Sequence, residues 1–295
     1  MRSSLAIART AISKFFDHSQ TRVFRRNDLS AILRECRHGW KLSSGVTVND
    51  FIEHLTGHSH LKPHAFDFPS RGELVYSWRN APLLHVLSEL KPSAYFTHLT
   101  AARLHGICPF SQQEIYLNVE QKPHVRNPSS LTQEALKNAF QNRPRVSNNV
   151  AIHEECRIVL LNGMHTSSLG VESVSVNQAR ASFTVRTTSL ERTLIDLAVR
   201  PAYSGGVLNV LQCYRSAKGK VRVSNMASML NELDYVYPYH QSVGFYLQKS
   251  GHSADDVNSF REMPMKFDFY LDHGIKSPHY VREWRMNVPS ELAQS

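Results

Sequence analysis

The sequence has few cysteines and no long hydrophobic run. Its four cysteines, Cys36, Cys108, Cys156 and Cys213, are far apart and form no C-x-x-C pair. This excludes a zinc finger and a disulfide framework, and it favours reduced thiols. No apolar run approaches the roughly 18 residues that a membrane-spanning helix needs. We therefore expect a cytoplasmic protein with no membrane partner.

Motifs of the common enzyme classes are also missing. The chain contains no G-x-S-x-G, no Walker A motif and no dinucleotide fingerprint, and its densest histidines, within residues 58–64, lack H-E-x-x-H spacing. We considered Asp268, Asp272 and Glu283 as the metal-binding carboxylates of a nuclease. However, Asp272 lies in an expected turn, and no lysine follows these carboxylates at a spacing that indicates a catalytic lysine. We predict no catalytic activity, no cofactor and no bound metal.

The charge of the chain is positive and unevenly distributed. Among 295 residues the formal net charge is +9, and residues 1–110 hold 14 Lys and Arg against 8 Asp and Glu. Such an excess indicates an anionic partner, and its concentration in the first third favours a nucleic-acid module there. A basic protein without such a module could show the same distribution, because charge alone does not specify a fold.

The first 80 residues carry three helical patterns followed by two strand patterns. The first helix is expected over Ser4–Phe16, the second after a cap at Asn27 or Asp28, and the third after Thr47 as cap, with Asp50 three residues on. Strands are expected at Leu61–Phe68 and Glu73–Trp78, joined by the turn residues Pro69-Ser70-Arg71-Gly72. This order predicts a winged helix-turn-helix domain over residues 1–80.

In such a domain the third helix reads base edges and flanking cations contact phosphates. The expected base-reading helix carries Thr47, Asn49, Asp50, Glu53 and His54. The expected phosphate contacts are Arg22, Arg25, Arg26, Arg37, Lys41, Lys62 and Arg71. The polar face of this helix has no Lys or Arg, and about ten residues separate it from the second helix. These features leave open a winged helix that contacts protein instead of double-stranded DNA.

The remainder, residues 81–295, is predicted to form a mixed α+β domain in which strands precede helices. Expected strands are Glu114–Val119, Val150–Leu161, a hairpin of Gly170–Val176 and Ser182–Val185 with a turn around Asn177–Arg180, and Lys266–Leu271. Expected helices are Ala81–Leu90, one capped near Thr97, Leu131–Phe140, Leu190–Val199, Gly206–Ser216, Val223–Leu233 and Tyr237–Lys249. Thr188 and Glu191 have the spacing of a capping box before Leu190.

Two segments resemble those of AbiEi-type antitoxins. They are A-Y-F-T-H-L-T-A-A-R-L-H-G-I at residues 94–107 and T-S-L-E-R-T-L-I-D-L-A-V-R-P-A-Y-S-G-G at residues 188–206. The resemblance implies a DNA-binding antitoxin and transcriptional autorepressor of a bacterial type IV toxin–antitoxin system. It implies binding to inverted repeats in its own promoter and counteraction of a nucleotidyltransferase-like toxin. The alternative is a winged-helix interaction module that neutralises the toxin directly.

Overall fold

The computed structural model describes residues 4–108, 113–124, 131–179 and 181–293. Within these residues the chain is a mixed α+β protein that forms two compact units. The first unit contains the described residues up to Ala94 together with Asn149–Glu155 and Val174–Val185. The second contains those of Tyr95–Asn148, Cys156–Ser173 and the chain from Arg186 onward. No described helix combines the length and the apolar character that crossing a membrane would need.

The first unit begins with helices and a small sheet. Its elements are α1 (Ser4–His18), β1 (Val23–Phe24), α2 (Arg26–Cys36), α3 (Val48–His58), β2 (Leu61–Phe66), β3 (Glu73–Trp78) and α4 (Leu83–Ser88). Strand β3 lies between β1 and β2 and is antiparallel to both. The first three helices enclose an aromatic core in which Phe16 stacks on Trp78 at 4.8 Å and meets Phe24 edge-on at 5.2 Å. Burial of these rings holds the helices against the sheet.

The start of α3 agrees with the sequence, whereas the start of α2 does not. Thr47 Oγ1 accepts from the Asp50 N–H at 3.2 Å, and Asp50 Oδ2 accepts from the Thr47 N–H at 2.8 Å. This reciprocal pair is the predicted cap. The prediction of Asn27 or Asp28 as the cap of α2 is wrong, because the helix begins at Arg26. Asp28 lies inside the first turn, and its carboxylate accepts from the Arg25 N–H at 2.7 Å. The backbone N–H group at the helix start is therefore hydrogen-bonded by a residue within the helix.

The second unit packs a sheet against helices. Its first elements are β4 (Tyr95–Phe96), α5 (His98–Leu104), β5 (Glu114–Asn118), α6 (Gln133–Gln141) and β7 (Cys156–Leu161), with β6 (Val150–His153) belonging to the first unit. Strands β8 (Val171–Gln178) and β9 (Ala181–Thr188) form a hairpin whose turn-side halves belong to the first unit. Arg180, in the expected turn of that hairpin, lies outside the described residues. Within the second unit the strand order is β7-β5-β4-β9, with β4 parallel to β9 and β5 parallel to β7.

The helical part follows β9. It comprises α7 (Leu190–Val199), α8 (Val207–Ala217), α9 (Val223–Leu233), α10 (Tyr239–Lys249) and α11 (Ala254–Arg261), then β10 (Phe269–Tyr270), β11 (Pro278–Val281), β12 (Met286–Pro289) and α12 (Ser290–Ala293). Strand β12 lies between β10 and β11. In the centre, every residue of α7 from Arg192 to Ala198 is buried. Gly244 of α10 lies directly against the indole ring of Trp284 and the Cβ of Phe260. These contacts make α7 and α10 the middle of the core.

Two further sequence predictions are corrected. The single strand expected over Val150–Leu161 is wrong, because Glu154 and Glu155 both have left-handed backbone angles (φ +47° and +65°) and the chain turns between β6 and β7. The capping box at Thr188 is also wrong. Thr188 ends β9, and its hydroxyl lies 2.8 Å from Thr193 Oγ1, while Ser189 caps α7 by accepting from the Arg192 N–H.

Candidate functional site

The exposed face of α3 is the first candidate site. Asn49, Asp50 and Glu53 are exposed, whereas Phe51 and Leu55 on the opposite side are fully buried. Arg26 of α2 donates to Asn49 Oδ1 at 2.7 Å on the protein surface. The fold therefore brings one of the expected cations directly beside one of the expected base-reading side chains.

His54 does not join this exposed face. Its side chain is half-buried, and its Nε2 is buried without a partner among the described residues. Burial, followed by the charges of His58 and Arg9, lowers the pKa of His54. A half-buried imidazole whose pKa is lowered is poorly placed to contact DNA.

Three of the expected phosphate contacts are engaged within the first unit. Arg22 donates to the carbonyl oxygens of Phe16 and Asp17 at 3.1 and 3.0 Å. Arg37 donates to the carbonyl oxygens of Ser43 and Val46 at 2.5 and 2.7 Å, and so braces the segment between α2 and α3. Arg25 forms an ion pair with Asp28 at 3.5 Å. These contacts within the protein leave fewer cations for a partner.

The other four expected cations have exposed side chains: Arg26, Lys41, Lys62 and Arg71. Lys62 donates to Asn80 Oδ1 at 2.5 Å. Across the described parts of the chain, Lys41 and Arg71 form no side-chain hydrogen bond or ion pair. Arg71 lies in the turn between β2 and β3, and the neighbouring Ser70 hydroxyl donates to Asn149 Oδ1 at 2.8 Å. The turn is thus anchored on one side while Arg71 stays open to solvent.

A second candidate, which sequence reasoning missed, is a buried polar cluster in the second unit. Arg192 Nε donates to Asp196 Oδ1 at 2.8 Å, and Thr97 Oγ1 donates to Asp196 Oδ2 at 3.0 Å. Arg192 Nη1 also donates to the Leu169 carbonyl oxygen at 2.7 Å. Arg192 and Asp196 are each only 6% exposed. The signal in the sequence is an Arg and an Asp four residues apart in a helix that is otherwise largely apolar.

His98 lies beside this cluster in a constrained position. It begins α5 with a left-handed φ of +50° and is 7% exposed. Its Nδ1 lies 3.2 Å from Thr97 Oγ1, but its Nε2 has no partner among the described residues. Burial lowers the pKa of His98 to about 4. The side chain is therefore a neutral, half-satisfied hydrogen-bonding group near neutral pH.

This burial predicts acid sensitivity of the second unit. The pKa of His98 is about 4 in the folded state against about 6.5 when unfolded, so protonation favours unfolding. The stabilisation is present above pH 6.5 and is lost as the pH falls toward 4, by up to ~1.4 kcal/mol per pH unit. The measurement is hydrogen exchange of α5 and α7 peptides, corrected for intrinsic rates. As the pH falls, protection from exchange should decrease more steeply in wild type than in His98→Asn. Equal pH dependences in the two proteins would contradict this expectation.

The positions of potential metal ligands bear on the expectation that the chain binds no metal. Among them, no three His, Cys, Asp or Glu side chains come close enough to hold a metal ion. Asp268 pairs with Arg285 at 3.0 Å, and Glu283 pairs with Arg261. His64 Nε2 lies 2.9 Å from Ser77 Oγ. Two of the carboxylates considered for a nuclease therefore have separate partners.

Comparison with known proteins gives a fold and no family. No family model matches the sequence, and no curated protein matches it. The chain is similar to the crystal structure of the RV2827C protein from Mycobacterium tuberculosis, with a TM-score of 0.60 and 11% sequence identity. The similarity covers 98% of this chain and 94% of that chain. At this identity, the likeness shows that the two chains share a fold.

Proposed function

We propose that the protein is a DNA-binding antitoxin and transcriptional autorepressor, similar to the AbiEi-type antitoxins. In this proposal it binds inverted repeats in its own promoter and counteracts a nucleotidyltransferase-like toxin of a bacterial type IV system. It acts by binding, without catalysis or a cofactor. The proposal joins the two AbiEi-like segments of the sequence to the architecture of the first unit.

The observation that carries the proposal is the order of elements in the first unit. Helix α1, strand β1, helices α2 and α3 and the hairpin β2–β3 follow one another, with β3 central in the sheet. This is the arrangement expected of a winged helix-turn-helix, in which α3 enters the major groove and the hairpin is the wing. Arg71 would then lie at the wing tip, within reach of phosphates.

The side chains of α3 divide into structural and base-reading groups. Asp50 is occupied by its hydrogen bonds with Thr47, so it serves the helix start. Asn49 and Glu53 remain exposed, and these can pair with adenine and with the cytosine amino group, respectively. Arg26, which lies beside Asn49, would contact the DNA phosphates next to the bases that Asn49 reads. We therefore assign base reading to Asn49 and Glu53.

Gel-shift binding to the DNA upstream of the gene, against a scrambled duplex of equal length, tests this function. If the four exposed cations contact phosphates, log affinity should fall against log salt with a slope of about −4. Arg71→Gln should make this slope shallower by roughly one and weaken all duplexes equally, whereas Asn49→Ala should mainly relax sequence preference.

Arg215→Gln provides the control for the Arg71 variant. Arg215 is an exposed cation of α8, outside the first unit, and its replacement should leave the slope unchanged. A slope near zero would refute the phosphate contacts. Identical behaviour of the Arg71 and Asn49 variants on specific and random duplexes would show that α3 does not read bases.

The second candidate function is a module that binds the toxin directly. The observation that favours it is the acidic character of the α3 face, where Asp50 and Glu53 are exposed and no Lys or Arg occurs within α3. Acids facing the DNA backbone would be repelled by it. This candidate predicts a stable stoichiometric complex on co-expression with the toxin and little affinity for DNA, so co-purification distinguishes the two functions.

A further inference from the structure

A cavity lies in the second unit beside the buried Arg192–Asp196 pair. Its volume is about 670 Å³, and Thr97, His98 and Asn118 are among the residues that line it. This volume falls within the range of small-molecule sites, which are roughly 300–1,000 Å³. The cavity is therefore large enough for an organic ligand rather than for a few water molecules.

The charge of the cavity favours an anion. Arg192 is neutralised by Asp196 at 2.8 Å. Arg145 and Arg200 also line the cavity, and neither guanidinium has a hydrogen bond or an ion pair within the described part of the chain. Two arginines without a protein partner in the lining of one cavity present the planar donor groups that bind phosphate or carboxylate oxygens in pairs.

Part of the cavity wall is aromatic. Five tyrosines line it: Tyr95, Tyr203, Tyr235, Tyr237 and Tyr239. The hydroxyls of Tyr235 and Tyr237 make no hydrogen bond among the described residues, while the Tyr237 and Tyr239 rings meet edge-on at 6.0 Å. Aromatic rings next to cations are the surroundings in which planar, anionic molecules such as nucleotides bind.

His98 supplies an independent sign of a missing partner. Its Nε2 is buried and has no partner among the described residues. A buried ring nitrogen without a partner is costly, and a ligand atom in the cavity would satisfy it. Because the Thr97 hydroxyl donates its hydrogen to Asp196, His98 Nδ1–H is the donor to Thr97 Oγ1, and Nε2 is left as an acceptor. Its natural partner is therefore an amide, amino or hydroxyl donor and not a phosphate.

We infer that this cavity binds a phosphorylated nucleoside. The base packs among the tyrosines, the phosphate is held by Arg145 and Arg200, and His98 contacts a polar edge of the base or the ribose. The ligand is either a free mononucleotide or the 5′-phosphorylated end of a single strand, which share this chemistry. The inference does not rest on the proposed DNA-binding function, because it concerns a different set of residues.

Calorimetric titration of the full chain tests the inference. The probes are the four ribonucleoside monophosphates, the matching nucleosides, inorganic phosphate and a 5′-phosphorylated trinucleotide. We expect at least one monophosphate, or the trinucleotide, to bind more tightly than the nucleosides and inorganic phosphate. Preference for the trinucleotide over the monophosphates would assign the site to strand ends, and the reverse would assign it to free nucleotides.

Matched variants locate the binding. Arg200→Gln should weaken nucleotide binding by roughly tenfold or more, because a charge-assisted hydrogen bond is lost. Tyr237→Leu should weaken binding of the nucleotide but not that of inorganic phosphate. Arg215→Gln, which removes an exposed arginine of α8 away from the cavity, should have no effect. Circular dichroism establishes that each variant is folded.

Three results would overturn the inference. One is the absence of binding by the four mononucleotides and by the trinucleotide, each at millimolar concentration, to the folded full chain. Another is equal affinity for nucleotide and inorganic phosphate, which would make the site a simple anion site. The third is an equal weakening of nucleotide binding by Arg200→Gln and Arg215→Gln. This result would show that binding depends on general surface charge and not on this cavity.

Discussion

Replacing Asp196 with alanine should lower the free energy of unfolding of the second unit by about 3–5 kcal/mol. The Arg192 guanidinium would remain buried without its counter-ion, and Thr97 would lose the acceptor of its hydroxyl. Desolvation of an unpaired charge accounts for most of this loss. Hydrogen exchange of peptides from α7 gives the measurement, because exchange there reports opening of the core around the pair.

Two further variants separate the cost of leaving a buried charge unpaired from the cost of losing an ion pair. Arg192→Met combined with Asp196→Leu should cost much less than the sum of the two single replacements, because no unpaired charge remains. Glu283→Ala removes an exposed partner of Arg261 in the same unit and should cost less than about 1 kcal/mol. A loss of this small size for Asp196→Ala would mean that water reaches Arg192.

The second large effect is expected at Gly244. A methyl group added there would collide with the indole of Trp284 and press on Phe260. Both aromatic residues are fully buried, and the Trp284 Nε1–H donates to Gln248 Oε1 at 2.5 Å, so the ring cannot move aside freely. Gly244→Ala should destabilise the second unit by about 3 kcal/mol, the upper part of the range for overpacked cores.

A second glycine supplies the control for Gly244→Ala. Gly57 lies in α3 and is exposed, and a methyl group added to its Cα would meet no atom within 4 Å. Gly57→Ala should therefore stabilise the first unit by about 0.5–1 kcal/mol through helix propensity. Thermal unfolding of both variants compares the two changes. Equal effects at the two sites would show that the contact with Trp284 does not matter.

Much of the secondary structure could be predicted because the apolar residues repeat with a helical or strand period. Leu190–Val199 and Val223–Leu233 have the expected bounds, and the cap of α3 is the expected Thr47. The errors arise where side chains bond to partners that a local pattern does not specify. Thr188 bonds to Thr193 instead of capping, and the strand expected over Val150–Leu161 breaks at two glutamates in left-handed conformations.

The candidate sites could be predicted only in part. A sequence identifies exposed charge by residue type, but it does not show that Arg22 and Arg37 donate to backbone carbonyls. The cavity escaped prediction because its residues come from segments as distant as Tyr95 and Tyr239. The Arg and Asp of α7 carried a usable signal, since opposite charges within an apolar helix indicate a buried pair.

The discontinuous make-up of the first unit has a consequence for its synthesis on the ribosome. That unit includes Val174–Val185 in addition to the residues up to Ala94, and His85 stacks on Phe183 at 4.6 Å. At roughly 5–20 residues per second, about 5–20 s pass between translation of Ala94 and of Val185. During this interval the nascent helices and hairpin lack the segment that completes them. Maturation of the amino-terminal unit is therefore coupled to elongation of the rest of the chain, and a fragment ending at Ala94 is an incomplete unit.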